Sequence, residues 1–190
     1  MEKIIRHKSG HTITFQETSA ETSGELTKMR VKLYPTSNNP LHFHKRFTQQ
    51  VIPVKGTVCI KLKNGERNFL SDGDTFFAEK LIPHSVINPG ASPIEYEVVC
   101  KPGQPNLEKG YRLKFELDNQ NINPTLLDSW LLLDMRGTYP IGLRYKIFSF
   151  LKRFFLFKWL LYKRLQQLEK KVQTTSASQR TVVMTEQIEK

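Results

Sequence analysis

Residues 42–56 read HFHKRFTQQVIPVKG, and residues 73–88 read GDTFFAEKLIPHSVIN. The first stretch places His42 and His44 two residues apart, so both imidazoles lie on one face if this segment is a β-strand. The second stretch carries His84. If the two stretches form neighbouring strands, the three imidazoles meet on a rigid support. Three imidazoles can hold an open divalent-metal site, and Fe, Mn, Ni, Zn and Cu all accept such ligands.

Short strands and turns surround these two stretches. Residues 25–34 and residues 57–63 alternate apolar with polar side chains, a pattern typical of half-buried strands. Asn64-Gly65 follows the second of them and predicts a two-residue type I′ hairpin. Turn signals recur about every eight to twelve residues up to residue 103, which predicts a β-sandwich or barrel.

The first stretch resembles the first sequence motif of the cupin superfamily. That motif is Gly, five residues, His-x-His, three or four residues, Glu, six residues, Gly. Here His42-x-His44 is followed after four residues by Gln49 and after six more by Gly56. Thr36 stands where the motif begins with Gly. The resemblance therefore lies in the histidines and their spacing, with two substitutions.

The second stretch resembles the second cupin motif, which is Gly, five residues, Pro-x-Gly, two residues, His, three residues, Asn. Gly73, His84 and Asn88 keep these intervals. Glu79 and Leu81 replace the Pro and Gly of the motif, which changes the loop before the histidine. Two motifs at the correct internal and mutual spacing make the resemblance specific.

The resemblance covers roughly residues 20–102 and implies a mainly β protein with a single cupin barrel, that is, a double-stranded β-helix or jelly roll. It implies that His42, His44 and His84 bind a divalent transition metal, with Gln49 where the fourth ligand is usually glutamate. A glutamine offers a neutral carbonyl oxygen and cannot act as a base at neutral pH. Direct metal ligation and a supporting hydrogen bond are both open for Gln49.

Beyond residue 102 the pattern becomes helical. Residues 107–118 fit both strand and helical spacing, and we favour a helix because helical patterns follow. Asn123-Pro124 predicts the start of a second helix, which Gly137 ends. A long third helix is predicted over residues 143–171.

The composition fits one folded domain. The chain has 190 residues, of which 38% are hydrophobic and 25% charged, and this excludes collagen-like and wholly disordered proteins. We expect a barrel over 1–105, a helical extension over 106–172 and a disordered Ser/Thr/Gln-rich tail over 173–190. Two cysteines and the lack of a signal-peptide pattern or a long uncharged apolar run favour a cytoplasmic protein, with peripheral membrane contact open.

The formal net charge of +11 is concentrated near the C-terminus. Residues 141–171 carry nine Lys and Arg side chains and only Glu169 as an acid, so residues 143–171 predict a basic amphipathic helix. Its apolar side can pack on the barrel or on a second copy of the chain, or it can lie on an anionic membrane surface. A soluble acidic partner is a third possibility. A nucleic-acid partner is disfavoured, because the charge lies on a helix crowded with Phe and Leu.

Two classes of function are consistent with these features. The resemblance implies a small-molecule metalloenzyme of dioxygenase, isomerase or decarboxylase type with a three-His site. The alternative is a non-catalytic module that binds or senses a small ligand and whose basic helix contacts a membrane surface or partner. The fold alone does not choose between them. Cupin barrels commonly dimerise, so a homodimer is also expected.

Overall fold

The computed structural model describes residues 3–35 and 39–188, so Thr36 lies outside the described residues. Within these ranges the strands are β1 (Ile4–Arg6), β2 (Thr12–Glu17), β3 (Thr27–Leu33), β4 (His42–Phe43), β5 (Thr48–Lys55), β6 (Val58–Leu62), β7 (Arg67–Leu70), β8 (Phe76–Ala78), β9 (His84–Ile87), β10 (Ile94–Lys101) and β11 (Tyr139–Pro140). The helices are α1 (Pro105–Asn119), α2 (Leu126–Arg136), α3 (Leu143–Leu151) and α4 (Phe155–Ile188). The strands therefore precede the helices, with the exception of β11.

The strands form two antiparallel sheets that enclose a common core. One sheet has the order β1-β2-β3-β10-β5-β8 and the other has the order β11-β4-β9-β6-β7. Successive strands such as β4 and β5, or β9 and β10, lie in different sheets. This repeated crossing is the connectivity of a jelly roll. It confirms the predicted fold class, a double-stranded β-helix barrel with a helical C-terminal part.

Strand β10 illustrates how the sequence builds the core. Its side chains alternate between buried and half-buried positions, and the buried ones are Ile94, Tyr96, Val98 and Cys100. It pairs with β3 on one side and with β5 on the other, where Cys100 lies opposite Gln49. Full burial of a large apolar side chain contributes about 1.5–3 kcal/mol, so this alternation fixes which face of β10 points inward.

The helices form a second apolar cluster beside the barrel. Its buried members are Leu113, Leu117, Leu131, Leu132, Met135, Phe148, Leu161, Leu168 and Val172. A capping box between Thr125 and Asp128 begins α2, and Gly137 ends it in the left-handed conformation. The buried carboxylate of Asp128 also binds Arg164, which fastens α4 to α2.

The prediction of one long helix over residues 143–171 is wrong, because the structure has two helices there. Helix α3 ends at Leu151 and α4 begins at Phe155. Between them Lys152 turns toward α2 and binds the carboxylate of Asp134 at 2.7 Å. A single amphipathic face along this segment therefore does not exist. Among the described helices, none combines the length and apolarity needed to cross a bilayer.

The C-terminal tail differs from the expectation for residues 173–190. The backbone of α4 continues as helix to Ile188, and residues 189–190 lie outside the described part of the chain. The side chain of Val172 is buried in the helical cluster, and its carbonyl oxygen accepts a hydrogen bond from Gln120. The helix is therefore docked at the point where the tail was expected to begin.

The hairpin between β6 and β7 also differs from its prediction. The nitrogen of Leu62 donates to the carbonyl oxygen of Glu66 at 2.9 Å, so the loop has three residues rather than two. Gly65 adopts a positive φ of 90°, whereas Asn64 does not. The side chain of Asn64 accepts a hydrogen bond from the nitrogen of Glu66. This local bond stabilises the longer loop and excludes the type I′ turn, which requires two positive φ angles.

Candidate metal centre

The three histidines and Gln49 meet inside the barrel. His42 on β4 lies directly opposite His84 on β9, and their ring centroids are 4.7 Å apart. His44 follows β4 immediately, while Gln49 comes from β5 in the other sheet. One ring nitrogen of each histidine lies within 4.8 Å of the corresponding nitrogens of the other two. All four side chains are buried.

Each imidazole is oriented by a backbone carbonyl group. The Nδ1–oxygen pairs are His42 with Pro40 (2.7 Å), His44 with Gly137 (2.9 Å) and His84 with Ile82 (3.0 Å). A carbonyl oxygen can only accept, so each Nδ1 carries the proton. In a neutral ring the Nε2 atom then presents its lone pair, which is the form that binds a metal.

Gln49 lies between two of these lone pairs. Its Oε1 atom is 2.7 Å from Nε2 of His44 and 2.9 Å from Nε2 of His84. With both rings neutral, three acceptors face one another without a donor. A cation shared by the lone pairs satisfies them, as does a proton. Without either, the contact is satisfied only if Gln49 turns its NH2 group toward the rings.

The electrostatics of the site disfavour the proton. Burial, together with the neighbouring imidazoles of His84 and His44, lowers the pKa of His42 to about 3. Burial likewise lowers the pKa of His44 to about 4 and lowers that of His84. The rings are therefore neutral at neutral pH. Three neutral imidazoles and an amide oxygen form a donor set that fits a divalent transition metal and does not identify which one.

The helical extension completes the surroundings of His44. Strand β11, Tyr139–Pro140, pairs with β4 and thus joins the histidine-bearing sheet. Gly137 has a φ of 65°, and a Cβ atom there would lie 2.7 Å from Cε1 of Phe47, which itself stacks on the ring of His44. The sequence pattern around Gly137 predicts only the end of a helix. The hydrogen bond to His44 spans 93 residues, so no local pattern could have indicated it.

Leu81, in the loop before His84, adopts the left-handed backbone conformation that favours glycine. This residue has a φ of 70°, and its nitrogen donates to the carbonyl oxygen of His44 at 2.7 Å. The left-handed conformation costs a residue with a side chain about 1–2 kcal/mol. The substitution of the motif glycine by Leu81 therefore leaves the loop conformation in place at the expense of local strain.

Gln49 also lines a cavity of about 450 Å³ inside the barrel. Much of the wall is apolar, with Ile13, Met29, Val31, Leu33, Val86 and Val98. Polar side chains enter it from the helical extension, and these include Tyr111 and Arg136. Neither residue could be predicted as a site residue, because the positions of both in the cavity depend on how α1 and α2 dock on the barrel. A cavity of this size suits a small organic molecule.

Comparison with known proteins finds solved structures with a similar fold over about half of the chain. No family model matches the chain, and no curated protein matches it significantly. Three of the solved structures that it resembles are polyketide cyclase RemF from Streptomyces resistomycificus (16% identity, 48% of this chain, 64% of that chain, TM-score 0.44), a cupin-superfamily sugar phosphate isomerase from Silicibacter pomeroyi (17%, 50%, 62%, 0.44) and a predicted oxalate decarboxylase from Thermotoga maritima (21%, 52%, 90%, 0.45).

The chain spans less than two thirds of the length of the first two of these proteins. Structures described as cupin or cupin-like are among the matches. At these identities the likeness concerns the fold, and several of the matched proteins are named as enzymes. The candidate site therefore has to be interpreted from its own geometry.

Proposed function

We propose that this chain is a metal-dependent, cupin-type enzyme that acts on a small organic molecule bound in the barrel cavity. The observation that carries the proposal is the meeting of three acceptor atoms, Nε2 of His44, Nε2 of His84 and Oε1 of Gln49. His42 completes the group of ring nitrogens. A divalent ion such as Fe, Mn, Ni, Zn or Cu relieves the repulsion among these lone pairs.

A bound metal supplies Lewis-acid polarisation of a substrate oxygen and, for a redox-active ion, one-electron chemistry. The residues of the chain determine what accompanies it. Gln49 is neutral, so the site does not offset the charge of the ion. Among the described residues that line the cavity, the carboxylate is Asp118, and it is paired with Lys114 and His7. This favours, among dioxygenase-, isomerase- and decarboxylase-like reactions, those that need no free carboxylate base.

Reconstitution of the purified chain tests this proposal. Metal is removed with a chelator, each of the five metals is added back singly, and dioxygen consumption and product formation are followed with small enols and diketones. We expect turnover with at least one metal and its loss in His84→Ala, with an unchanged far-UV spectrum in that variant. Failure of the chain to take up any of the five metals would contradict the proposal.

The second candidate is a non-catalytic module that binds or senses a small ligand. The exposed apolar and cationic side chains of α3 and α4 favour it, because such a surface suits contact with a membrane or partner. Cavity ligands that bind equally well with and without metal, and are never converted, would support this candidate over the enzyme.

A further inference from the structure

The cavity beside Gln49 contains a guanidinium group that comes from outside the barrel strands. Arg136 is the last residue of α2 and lines the cavity together with Gln49. Its Nε donates to the carbonyl oxygen of Leu132 at 3.1 Å, and its guanidinium lies 5.3 Å from the centroid of the Tyr111 ring. Within the described part of the chain, no carboxylate forms an ion pair with Arg136.

A glycine on α1 allows this placement. A Cβ atom at Gly110 would lie 2.9 Å from Cγ of Arg136 and 3.0 Å from Cβ of Met135. The absence of a side chain at Gly110 therefore lets the end of α2 approach α1 closely. This approach brings the guanidinium over Tyr111 and against the cavity.

Two tyrosine hydroxyl groups accompany the guanidinium. Tyr96 on β10 and Tyr111 on α1 both line the cavity, and neither hydroxyl makes a hydrogen bond with any described residue. Burial raises the pKa of both, so both remain protonated and can donate. Burial also lowers the pKa of Arg136, but a guanidinium starts from a value so high that it stays charged at neutral pH.

The charges around the cavity do not cancel. Arg136 and Lys114 are cationic, while Asp118 is the carboxylate and already binds Lys114 and His7. The charge of Asp118 stabilises the guanidinium of Arg136 only in part, since Asp118 forms its ion pairs with Lys114 and His7. A planar oxyanion would compensate the largely buried guanidinium best, through two parallel hydrogen bonds. The apolar wall of the cavity offers room for a hydrocarbon body.

We propose that the cavity binds the carboxylate group of a small organic acid, with Arg136 as its anchor. This inference rests on the proposed function, because it names the substrate class of the same cavity. The hydroxyl groups of Tyr96 and Tyr111 donate to the bound ligand beside the guanidinium. The specificity for an acid thus comes from the helical extension, while the metal ligands come from the barrel.

Calorimetric titration of the chelator-treated full chain with benzoate and with its neutral counterpart benzamide tests the inference. We expect benzoate to bind at least about tenfold more tightly than benzamide, as one charge-assisted pair would give. Arg136→Gln should remove this preference, and Arg144→Gln, which changes an exposed arginine on α3, should keep it. Equal binding of the two compounds by the unmodified chain would overturn the inference, as would a preference that survives Arg136→Gln.

A second variant covers the case in which Arg136→Gln does not fold. Gly110→Ala keeps the charge of Arg136 but adds a methyl group against its Cγ atom, so it should weaken benzoate binding and leave benzamide binding unchanged. Metal content is measured on untreated samples of the same protein. Metal uptake without a benzoate preference overturns this inference and leaves the metalloenzyme in place. A benzoate preference dependent on Arg136 in a chain that takes up no metal supports this inference and contradicts the metalloenzyme.

A second inference concerns α3 and the first turns of α4, residues 143–163, which we call the hairpin surface. Phe148, Phe157 and Leu161 pack toward α2, where Phe148 stacks on Trp130 at 5.0 Å. Ten other large apolar residues of this segment are 37–78% exposed, namely Leu143, Ile147, Phe150, Leu151, Phe154, Phe155, Leu156, Trp159, Leu160 and Tyr162. An exposed apolar patch of this extent marks an interaction surface.

The hairpin surface is exclusively cationic in its charged groups. No Asp or Glu occurs between residues 135 and 168. Lys152 and Arg164 are engaged by acids of α2. The exposed cations are Arg144, Lys146, Arg153, Lys158 and Lys163. A second copy of the chain docked about a two-fold axis would place this surface against itself and oppose like charges.

We infer that the hairpin surface docks on an anionic lipid bilayer. The aromatic and aliphatic side chains enter the interfacial region, and the cations contact the lipid headgroups. The interruption at Lys152 separates α3 from the long helix α4, so α3 and the first turns of α4, rather than one continuous amphipathic helix, would lie on the membrane. The sequence predicts membrane contact over residues 143–171, and we now assign this contact to residues 143–163.

Co-sedimentation of the full chain with vesicles tests this inference. Phosphatidylcholine vesicles are compared with vesicles that also contain phosphatidylglycerol, at low and at high salt. We expect salt-sensitive binding to the anionic vesicles. Binding should be about 30-fold weaker after Arg153→Gln with Lys158→Gln, since each cation near the surface strengthens binding about fivefold. Phe155→Ser with Leu156→Ser should also weaken binding, whereas Phe77→Ser, which changes an exposed phenylalanine on β8, should not.

Three results would overturn the membrane inference. The first is that the protein remains in the supernatant with anionic vesicles at low salt. The second is that Phe77→Ser reduces binding as much as the paired change at Phe155 and Leu156. The third is a dimer, detected by sedimentation velocity without vesicles, that the paired change disperses, because this would assign the hairpin surface to a second copy of the chain.

Discussion

His44 donates its Nδ1 proton to the carbonyl oxygen of Gly137, 93 residues further along the chain, at 2.9 Å. The donor lies beside the barrel strands and the acceptor ends helix α2, so the helical extension orients one of the three imidazoles. This contact makes the extension part of the candidate metal centre. The same helix end contributes Arg136 to the cavity.

Gly137→Ala should weaken metal binding. The new methyl group would meet Phe47 at 2.7 Å and displace the carbonyl group from His44. Loss of a hydrogen bond that orients a metal-binding histidine typically costs tenfold or more in metal affinity, so we expect about a tenfold loss. A competition titration with a chromophoric chelator measures it.

Gly73→Ala is the matched control. Gly73 also has a positive φ, of 87°, but a Cβ atom there meets nothing within 4 Å. Both variants should lose about 1 kcal/mol of stability from the backbone conformation. If Gly73→Ala weakens metal binding as much as Gly137→Ala does, the orienting role of Gly137 is wrong.

Gln49→Glu should tighten metal binding, because a carboxylate adds a negative charge and a stronger donor between His44 and His84. Gln50→Glu, the same change at the next position of β5, should leave the affinity unchanged. The same chelator competition measures both. A fall in affinity and in thermal stability for Gln49→Glu would instead indicate that Gln49 serves as an NH2 donor to the two rings in a metal-free site.

Asp128→Asn should reduce the acid sensitivity of the fold. Hydrogen bonding to Arg164 holds the pKa of the buried Asp128 carboxyl at about 2, below its ordinary value of 3.8. A folded-state pKa below the unfolded value stabilises the protein above about pH 4, and this contribution is lost as the pH falls from about 4 to about 2.

We therefore expect the variant to lose about 2 kcal/mol of stability at neutral pH and little at pH 2, as measured by urea unfolding across that range. Glu97, whose pKa is also about 2, preserves part of the slope. Asp72→Asn, in an exposed turn, should behave as the unmodified chain does. Equal losses for Asp128→Asn at both pH values would contradict the role of the ion pair.

Leu81→Gly should stabilise the protein slightly. Release of the left-handed strain gains about 1–2 kcal/mol, and the added freedom of glycine in the unfolded chain offsets about half of it, which leaves about 0.5 kcal/mol. Leu81→Ala keeps the strain and removes only the side chain, which is 58% exposed, so it should not stabilise. Urea unfolding distinguishes the two, and a destabilised Leu81→Gly would mean that the leucine side chain holds the loop.

The barrel and its histidines could be predicted because their signals are local. The spacing of His42 and His44 fixes a common face on one strand, and alternation along residues 57–63 identifies another. The pairing of His42 with His84 then follows from the motif order. Each of these features depends on short-range periodicity, which can be recognised from the sequence alone.

The contributions of the helices could not be predicted in the same way. The places of Gly137 and Arg136 depend on how α2 docks on the barrel, which no periodicity encodes. The break after Leu151 could not be predicted because residues 152–154, Lys-Arg-Phe, contain no Gly or Pro that would signal a helix end. Lys152 pairs there with the distant Asp134, a contact that no local pattern indicates. The positions of Gly137, Arg136 and Lys152 are therefore determined by long-range packing, which local sequence patterns do not encode.

Metal content per chain, measured by mass spectrometry on the purified full-length protein after exposure to each of the five metals, tests the central claim most directly. We predict about one tightly held ion per chain in the unmodified protein and in His7→Ala, whose histidine lies outside the cluster. His44→Ala and His84→Ala should each lose most of it while retaining the far-UV spectrum of the folded barrel. Stoichiometric metal in both of these variants, or none in the unmodified protein, would contradict the account.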